Sequence, residues 1–387
     1  MDSEETPPGA DAGPGSALAG DPGAARRGRS WPAIVGLGLV IVVIAGVIAG
    51  FVVRVDYTTI APGEALSLPP RVKIEGATTY PTTRGDLRLL FVREAYHVNF
   101  WQYVRARLDS DIDLAKDAAV NPGSLTPKQQ NDEGLQQMAD AKNSATAVAL
   151  RAAGFKVKVQ PGLTVSDLTP GYPAIKVLYW GDIILTADGH AVNSRKDLTD
   201  AVGKHAVGSQ ITLGILRAGK RLTVRSGVAD LQGRRIIGVE VAVRFTFPFK
   251  VSVDTTGIGG PSAGLAMTLA IFDDLTKGDL TGGHHVAVTG TIDDTGNVGE
   301  IGGIAQKAVA ARAAHVTLFI VPQCSPGDQP DALAGCKADL ARASKRAGSD
   351  IKVVPVATFD QALQVLRDNG GDPAPTTIPK SSTTIAA

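Results

Sequence analysis

The longest apolar run in the chain, Trp31 to Val53, carries no charge and is long enough to cross a bilayer as one helix. Beyond it the apolar positions change period repeatedly. Asp86 to Arg93 (DLRLLFVR) reads as a strand and Asn99 to Leu108 (NFWQYVRARL) as a helix. Thr126-Pro127 supplies an N-cap and a first-position proline for a helix that runs to about Ala153 and is closed by Gly154. Phe155 to Val159 alternates as a half-buried strand does. Pro161-Gly162 then reads as a turn, followed by Leu163-Thr164-Val165. Arg195 to Val202 predicts a helix, and Ile211 to Leu216 with Leu222 to Ser226 predict a strand pair around Ala218-Gly219-Lys220. Ile236 to Phe245 and Phe249 to Val253 read as strands, Leu265 to Phe272 as an apolar helix, and Val286 to Thr289 as a strand. A glycine-rich stretch, Gly290 to Gly303, holds a hairpin at Asp294. A helix from Gly303 to Ala314 and a buried strand, Val316 to Val321, come next. Residues 322–337 read as a loop bracketed by cysteines, before a helix (Asp339 to Ala347), a strand (Ile351 to Val356) and a last helix (Phe359 to Leu366).

These changes divide the chain into a disordered cytoplasmic tail (1–30), a transmembrane helix (31–53), an α/β membrane-proximal region (57–154), a small β-domain (155–230), an α+β domain (235–370) and a second disordered tail (371–387). The region 57–154 shows no chemistry and reads as a spacer or packing element. Arg26, Arg27 and Arg29 precede the apolar run, whereas Arg54 beyond it is balanced by Asp56. The positive-inside rule then puts the N-terminus in the cytoplasm and all that follows the run outside it, at the cell membrane. A cleaved signal peptide has a shorter apolar region, so the length favours a retained anchor. Gly46 and Gly50 make a small-xxx-small pair, which is common in such helices.

Charge and cysteine usage narrow the chemistry. A formal net charge of +1 gives no general attraction to nucleic acid. The stretch from Gly23 to Ser30 mimics a phosphate-binding loop, but has arginine where lysine is required and follows no strand, so no nucleotide site is expected. Cys324 and Cys336 fit no usual zinc spacing. They are either two buried thiols or one disulfide, which an extracytoplasmic compartment permits. No metal or cofactor is required.

The candidate chemistry centres on Gly257-Ile258-Gly259-Gly260-Pro261-Ser262-Ala263-Gly264. Ser262 falls at the start of a helix, where free N–H groups and the dipole favour negative charge. It is either an N-cap or a nucleophile whose product is an oxyanion. Gly260 to Gly264 also satisfies G-x-S-x-G, the nucleophile elbow of α/β-hydrolases. That arrangement needs a strand running straight into the turn and a placed histidine, and His284, His285 and His315 are poorly placed. The other route is a lysine base, which must be buried to lose its proton. At about 100° per residue, Lys307 shares a helical face with Ile304, Ala308, Ala311 and Ala314. A snorkelling side chain is the plainer reading of that lysine.

Two resemblances carry the reading further. The short strands, single helix and hairpin of 155–230, with Trp180-Gly181-Asp182-Ile183-Ile184-Leu185 and Asp188-Gly189-His190, resemble a bacterial-type PDZ domain. That resemblance implies that Gly162, Leu163, Thr164 and Val165 form the loop whose amides take a peptide's terminal carboxylate. His190 lies in a turn and reads as solvated. The segments GPSAGLAMTLA, VTGTI with its following glycines and lysine, and FIVP resemble the proteolytic domain of Lon-type serine peptidases. The resemblance implies Ser262 as nucleophile, Lys307 as general base and Thr289 as the residue that orients the lysine, with Gly260 supporting. The order of anchor, PDZ domain and Lon-like domain is similar to that of membrane-anchored peptidases of Gram-positive and actinobacterial type. It implies an ATP-independent serine endopeptidase acting on unfolded polypeptides or exposed tails, and a homo-oligomer. Two departures stand out: Gly259 occupies a position that is acidic in many Lon proteins, and no AAA+ ATPase module is present in the sequence. A non-catalytic PDZ adaptor with an assembling Lon-like domain is the rival reading.

Overall fold

The computed structural model describes residues 31–372, apart from 83, 122–124, 232, 326–328 and the side chains of Pro32 and Ala33. The expected tail 1–30, the phosphate-loop mimic within it, most of the turn that Asn121-Pro122-Gly123-Ser124 predicts, and residues 373–387 of the second tail lie outside the described residues. Gly371 and Asp372 were grouped with that tail. They are instead tied down, with Gly371 N–H donating to Leu366 O and Asp372 N–H to Asp279 O.

The chain divides into two compact units, Met1–Gly50 and Phe51–Ala387. The described part of the first lies in an unbroken helix, Trp31–Val52, within which Ile34–Val52 is long and apolar enough to cross a membrane.

The second unit is built on a mixed six-stranded sheet. Lys352–Val356, Leu318–Pro322, His285–Val288 and Asp86–Ala95 run parallel, followed by Tyr57–Ser67 and Asp113–Lys116 in antiparallel pairing. Half of these strands come from the region expected to be a spacer or packing element, and it is the second: residues 57–154 supply part of the catalytic candidate's sheet. Lys250–Val253 likewise pairs with Val72–Glu75. The first and last of those strands were missed because polar Tyr57-Thr58-Thr59 and Asp113-Leu114-Ala115-Lys116 carry no clear alternation.

Side-chain alternation explains how the sheet is covered on both sides. Leu87, Leu89, Val286, Val288, Leu318 and Ile320 pack with the helices Pro127–Ala152 (the long helix), Gly264–Leu275 (the serine helix) and Phe359–Asp368. Leu90, Ala287, Phe319 and Val321 pack with Ile304–Ala313 (the lysine helix) and Pro330–Ala347. That last helix begins nine residues earlier than the apolar pattern predicts. Pro330 at its first turn starts it, so Cys336 lies within a helix rather than in a loop. Cys324 and Cys336 are joined in a disulfide.

The β-domain is inserted between the two halves of this sheet. Its strands run in the order Val239–Thr246, Lys158–Leu168, Ile183–Ala187, Gln210–Arg217 and Lys220–Gly227, with the helix Arg195–Gly203 packed beside them. Val239–Thr246, expected as a strand of the following domain, pairs instead with Lys158–Leu168 of this sheet. Pro161-Gly162 is not a turn. It lies inside the single strand Lys158–Leu168, whose pairing with Val239–Thr246 is irregular there.

Candidate active site

Ser262 and Lys307 arrive from opposite faces of the sheet and meet at the carboxyl end of its His285–Val288 strand. The serine helix begins at Gly264, two residues after Ser262, and Ala263 occupies the N-cap position without a side-chain bond. Ser262 is thus not the cap. The lysine helix starts at Gly303, which adopts φ +68°, a backbone open to glycine at little cost. An added Cβ there would lie 2.8 Å from Val92 Cγ1. One turn on, Lys307 is 2 % exposed, on the same inner face as Ile304, Ala308 and Ala311, while Arg312 reaches solvent.

Lys307 Nζ lies 2.7 Å from Ser262 Oγ and 3.0 Å from Thr289 Oγ1. Thr289 directly follows the central strand and is fully buried. Its hydroxyl donates to Ser262 O at 3.2 Å. A hydroxyl has one proton. With that proton committed, Thr289 can only accept from the lysine, which leaves the amine's lone pair to turn toward Ser262. Burial pulls the Lys307 amine down to about 7, against the opposing charge of Glu94.

The glycine loop is pinned on its outer side. Gly260, at φ +86°, donates its N–H to Gly134 O of the long helix at 2.8 Å. Gly259 and Gly134 pack so closely that an added Cβ on either would sit 3.3–3.5 Å from the other's backbone. Gly264 and Leu265 donate to Pro261 O and Gly290 O. Among the described residues, the N–H groups of Ser262 and Ala263 have no protein acceptor. They face the helix start with the dipole behind them. Gly260 was expected to support the site with its loop, yet its amide is already used. The contribution of Gly134 was invisible in sequence, because a lone glycine inside a helix reads only as a weak point.

The histidines lie elsewhere. His285 Nδ1 is 2.5 Å from Asp86 Oδ1, and among the described residues no histidine bonds Ser262. Nor do Gly162, Leu163, Thr164 and Val165 form a loop. Leu163 and Thr164 pair with Ile184 and Ile183 on one side and with Val243 and Ala242 on the other, and Leu163 and Val165 are fully buried. Gly162 N–H is taken by Asn193 Oδ1 and Val165 N–H by Asp182 O. Their amides are spent, so a terminal carboxylate cannot be held there. The edges of this sheet are Val239–Thr246 and Lys220–Gly227, and the first is the one next to these residues. Two of its carbonyls accept from side chains: Val241 O from Arg195 Nε at 3.0 Å and Val243 O from Asn143 Nδ2 at 2.8 Å.

A buried lysine thus lies against a serine at the end of a parallel run, with a β-domain inserted into the same unit. The comparisons name both parts. Residues 136–227 match the family described as PDZ domain, and residues 249–366 that described as Lon protease (S16) C-terminal proteolytic domain. The chain is 34% identical over 116 residues to the Lon protease of Trichlorobacter lovleyi and 32% identical over 105 residues to that of Clostridioides difficile. Those stretches make up 30% and 27% of this chain but only 13% and 12% of those proteins, about an eighth of their length. Among solved structures, the PDZ domain of the SdrC-like protein from Listeria monocytogenes is matched at 26% identity over 21% of this chain and 86% of that chain, with a TM-score of 0.20. The chain carries a PDZ domain and a Lon-type C-terminal proteolytic domain.

Proposed function

We propose that the protein is a membrane-anchored serine endopeptidase that works without ATP through Ser262 and Lys307. The observation that carries this reading is the buried amine 2.7 Å from the serine oxygen. Ser262 Oγ bonds to the peptide carbonyl carbon while its proton passes to neutral Lys307. The resulting oxyanion takes the amides of Ser262 and Ala263. Lys307 returns the proton to the leaving amine, and water then releases the acyl group by the same base. Thr289 holds the amine in place. Substrates are unfolded polypeptides or exposed tails, recruited by the PDZ domain. The helix Trp31–Val52 holds the protein in the membrane with the second unit outside the cytoplasm, and copies assemble into a homo-oligomer.

The test is cleavage of casein by the full chain in detergent, in nucleotide-free buffer. Wild type should cleave, Ser262→Ala should not, and His285→Ala should remain active. Dependence on His285 would point to the hydrolase elbow instead. An inactive wild type, with or without added peptide, would leave the adaptor.

A pH profile follows from the base. Protonated lysine cannot accept, and its folded value stands near 7. kcat/KM should therefore fall about tenfold per pH unit below 7 and level off above it. A profile flat from pH 5 to 8 would exclude Lys307 as the base.

A further inference from the structure

The short helix Phe100–Leu108 turns the wrong side to water. Its inner face is set by Tyr103, which stacks on Tyr57 with ring centroids 5.1 Å apart, and by buried Ala106. Its outer stripe at helical spacing is Trp101, Val104 and Leu108, where a soluble helix would place polar residues. Leu108 is 83% exposed, Phe100 42% and Trp101 37%, and Trp101, Val104, Arg105 and Leu108 line an open hollow of about 580 Å³. Arg105 and Arg107 flank this stripe in the last turn and are exposed. The helix is not a loose segment. Asn99 caps it with a reciprocal bond to Gln102.

Its position says what covers it. Phe100 N–H donates to Val53 O at 3.1 Å, and Asn99 forms a bridge with Arg54. Val53 is the residue immediately after the apolar helix ends. At about 1.5 Å per residue, a 22-residue helix is about as long as a bilayer's hydrocarbon core is thick. Phe100 is therefore bonded to the residue at which a spanning helix would leave that core. Aromatic rings beside a long aliphatic side chain and two arginines are the composition that settles at the headgroup boundary.

We infer that Phe100–Leu108 is a membrane-interface helix, its Trp101–Leu108 stripe seated among lipid headgroups and upper acyl chains. The inference rests on the reading of Trp31–Val52 as a retained span. It binds the second unit to the bilayer surface by a helix that links two strands of its sheet, not by the connecting residues alone. The arginines add attraction to anionic lipid.

The test uses the full chain in phosphatidylcholine–phosphatidylglycerol vesicles. One single-tryptophan variant keeps Trp101 (Trp31→Phe, Trp180→Phe) and another keeps Trp31 (Trp101→Phe, Trp180→Phe). Lipid brominated near the headgroup end of the acyl chain should lower Trp101 emission about twofold, more than lipid brominated near the chain terminus. Leu108→Glu in the Trp101 variant should reverse much of that quenching. Trp31 quenched with Trp101 unaffected would overturn the interface helix and leave the span intact. Both unaffected would overturn the span and the inference together. Trp101 shielded from bromine but blue-shifted, with copies cross-linking through Leu108→Cys, would make this face a contact between copies and likewise overturn it.

Discussion

Lys307→Met is expected to abolish cleavage, by at least about a thousandfold in kcat/KM, and to raise the melting temperature. The two effects share one cause. Lys307 is a full-length side chain at 2 % exposure, and among the described residues its amine bonds only Ser262 and Thr289. Folding takes that amine from its free value of about 10.4 down to about 7. The native state thus binds fewer protons than the unfolded chain between those values, and stability rises with pH across that window. At pH 7 and below the burden is complete, of the order of 4 kcal/mol, and it fades toward pH 10. Methionine fills a similar volume without the charge. The gain in melting temperature should therefore be largest near pH 7 and shrink as pH rises. A variant that loses activity and melts earlier at every pH would show that the lysine is not a buried, strained base. Scanning calorimetry at pH 7 and pH 9.5 separates the outcomes.

Gly264→Ala is expected to cost about 1–3 kcal/mol and about a hundredfold in kcat, although it adds one methyl group. A Cβ at this position would lie 2.9 Å from both Ile292 Cγ2 and the Ile292 backbone nitrogen. The backbone contact cannot be relieved by a rotamer change. Either the serine helix or the segment Thr289–Ile292 must shift. That segment carries the threonine bonded to the lysine, and Gly290 N–H donates to Ser262 O at 2.9 Å. Gly302→Ala is the matched control, because an added Cβ there meets nothing within 4 Å. Equal activity in the two variants would mean that the helix start tolerates movement and that its geometry is not tied to the chemistry.

The residues of the candidate site were legible because their types are costly anywhere else. A lysine on an alanine face and a serine among glycines draw attention in a single sequence. Taken alone, however, each reads more plainly as a snorkelling side chain or a helix cap, and their roles, like that of Thr289, come from the resemblance. What stayed hidden depended on distant pairing. Asp113–Lys116 is a strand only because Tyr57–Ser67 lies beside it, and the inner position of Gly162 to Val165 depends on Val239–Thr246 returning to cover them. Local pattern could not reveal that residues 57–154 share a sheet with residues 285–356, since the pairing of Asp86 with His285 is a property of the assembled fold. Likewise, Gly134 acts through a carbonyl, which every residue possesses, so no side chain announces it.

Sheet pairing across the inserted domain also sets a timetable. Asp86 and His285 are 199 positions apart, and Leu318–Pro322 and Lys352–Val356 add still later. Contacts of such range form slowly, after the chain between them has closed its own loops. During synthesis the inserted domain can complete its sheet first, once Thr246 has emerged. The serine follows without its base, and the base arrives before the strand beside it is fully paired. The pairing of Ser262 with Lys307 therefore waits on a strand, Leu318–Pro322, that lies later in the chain than either residue.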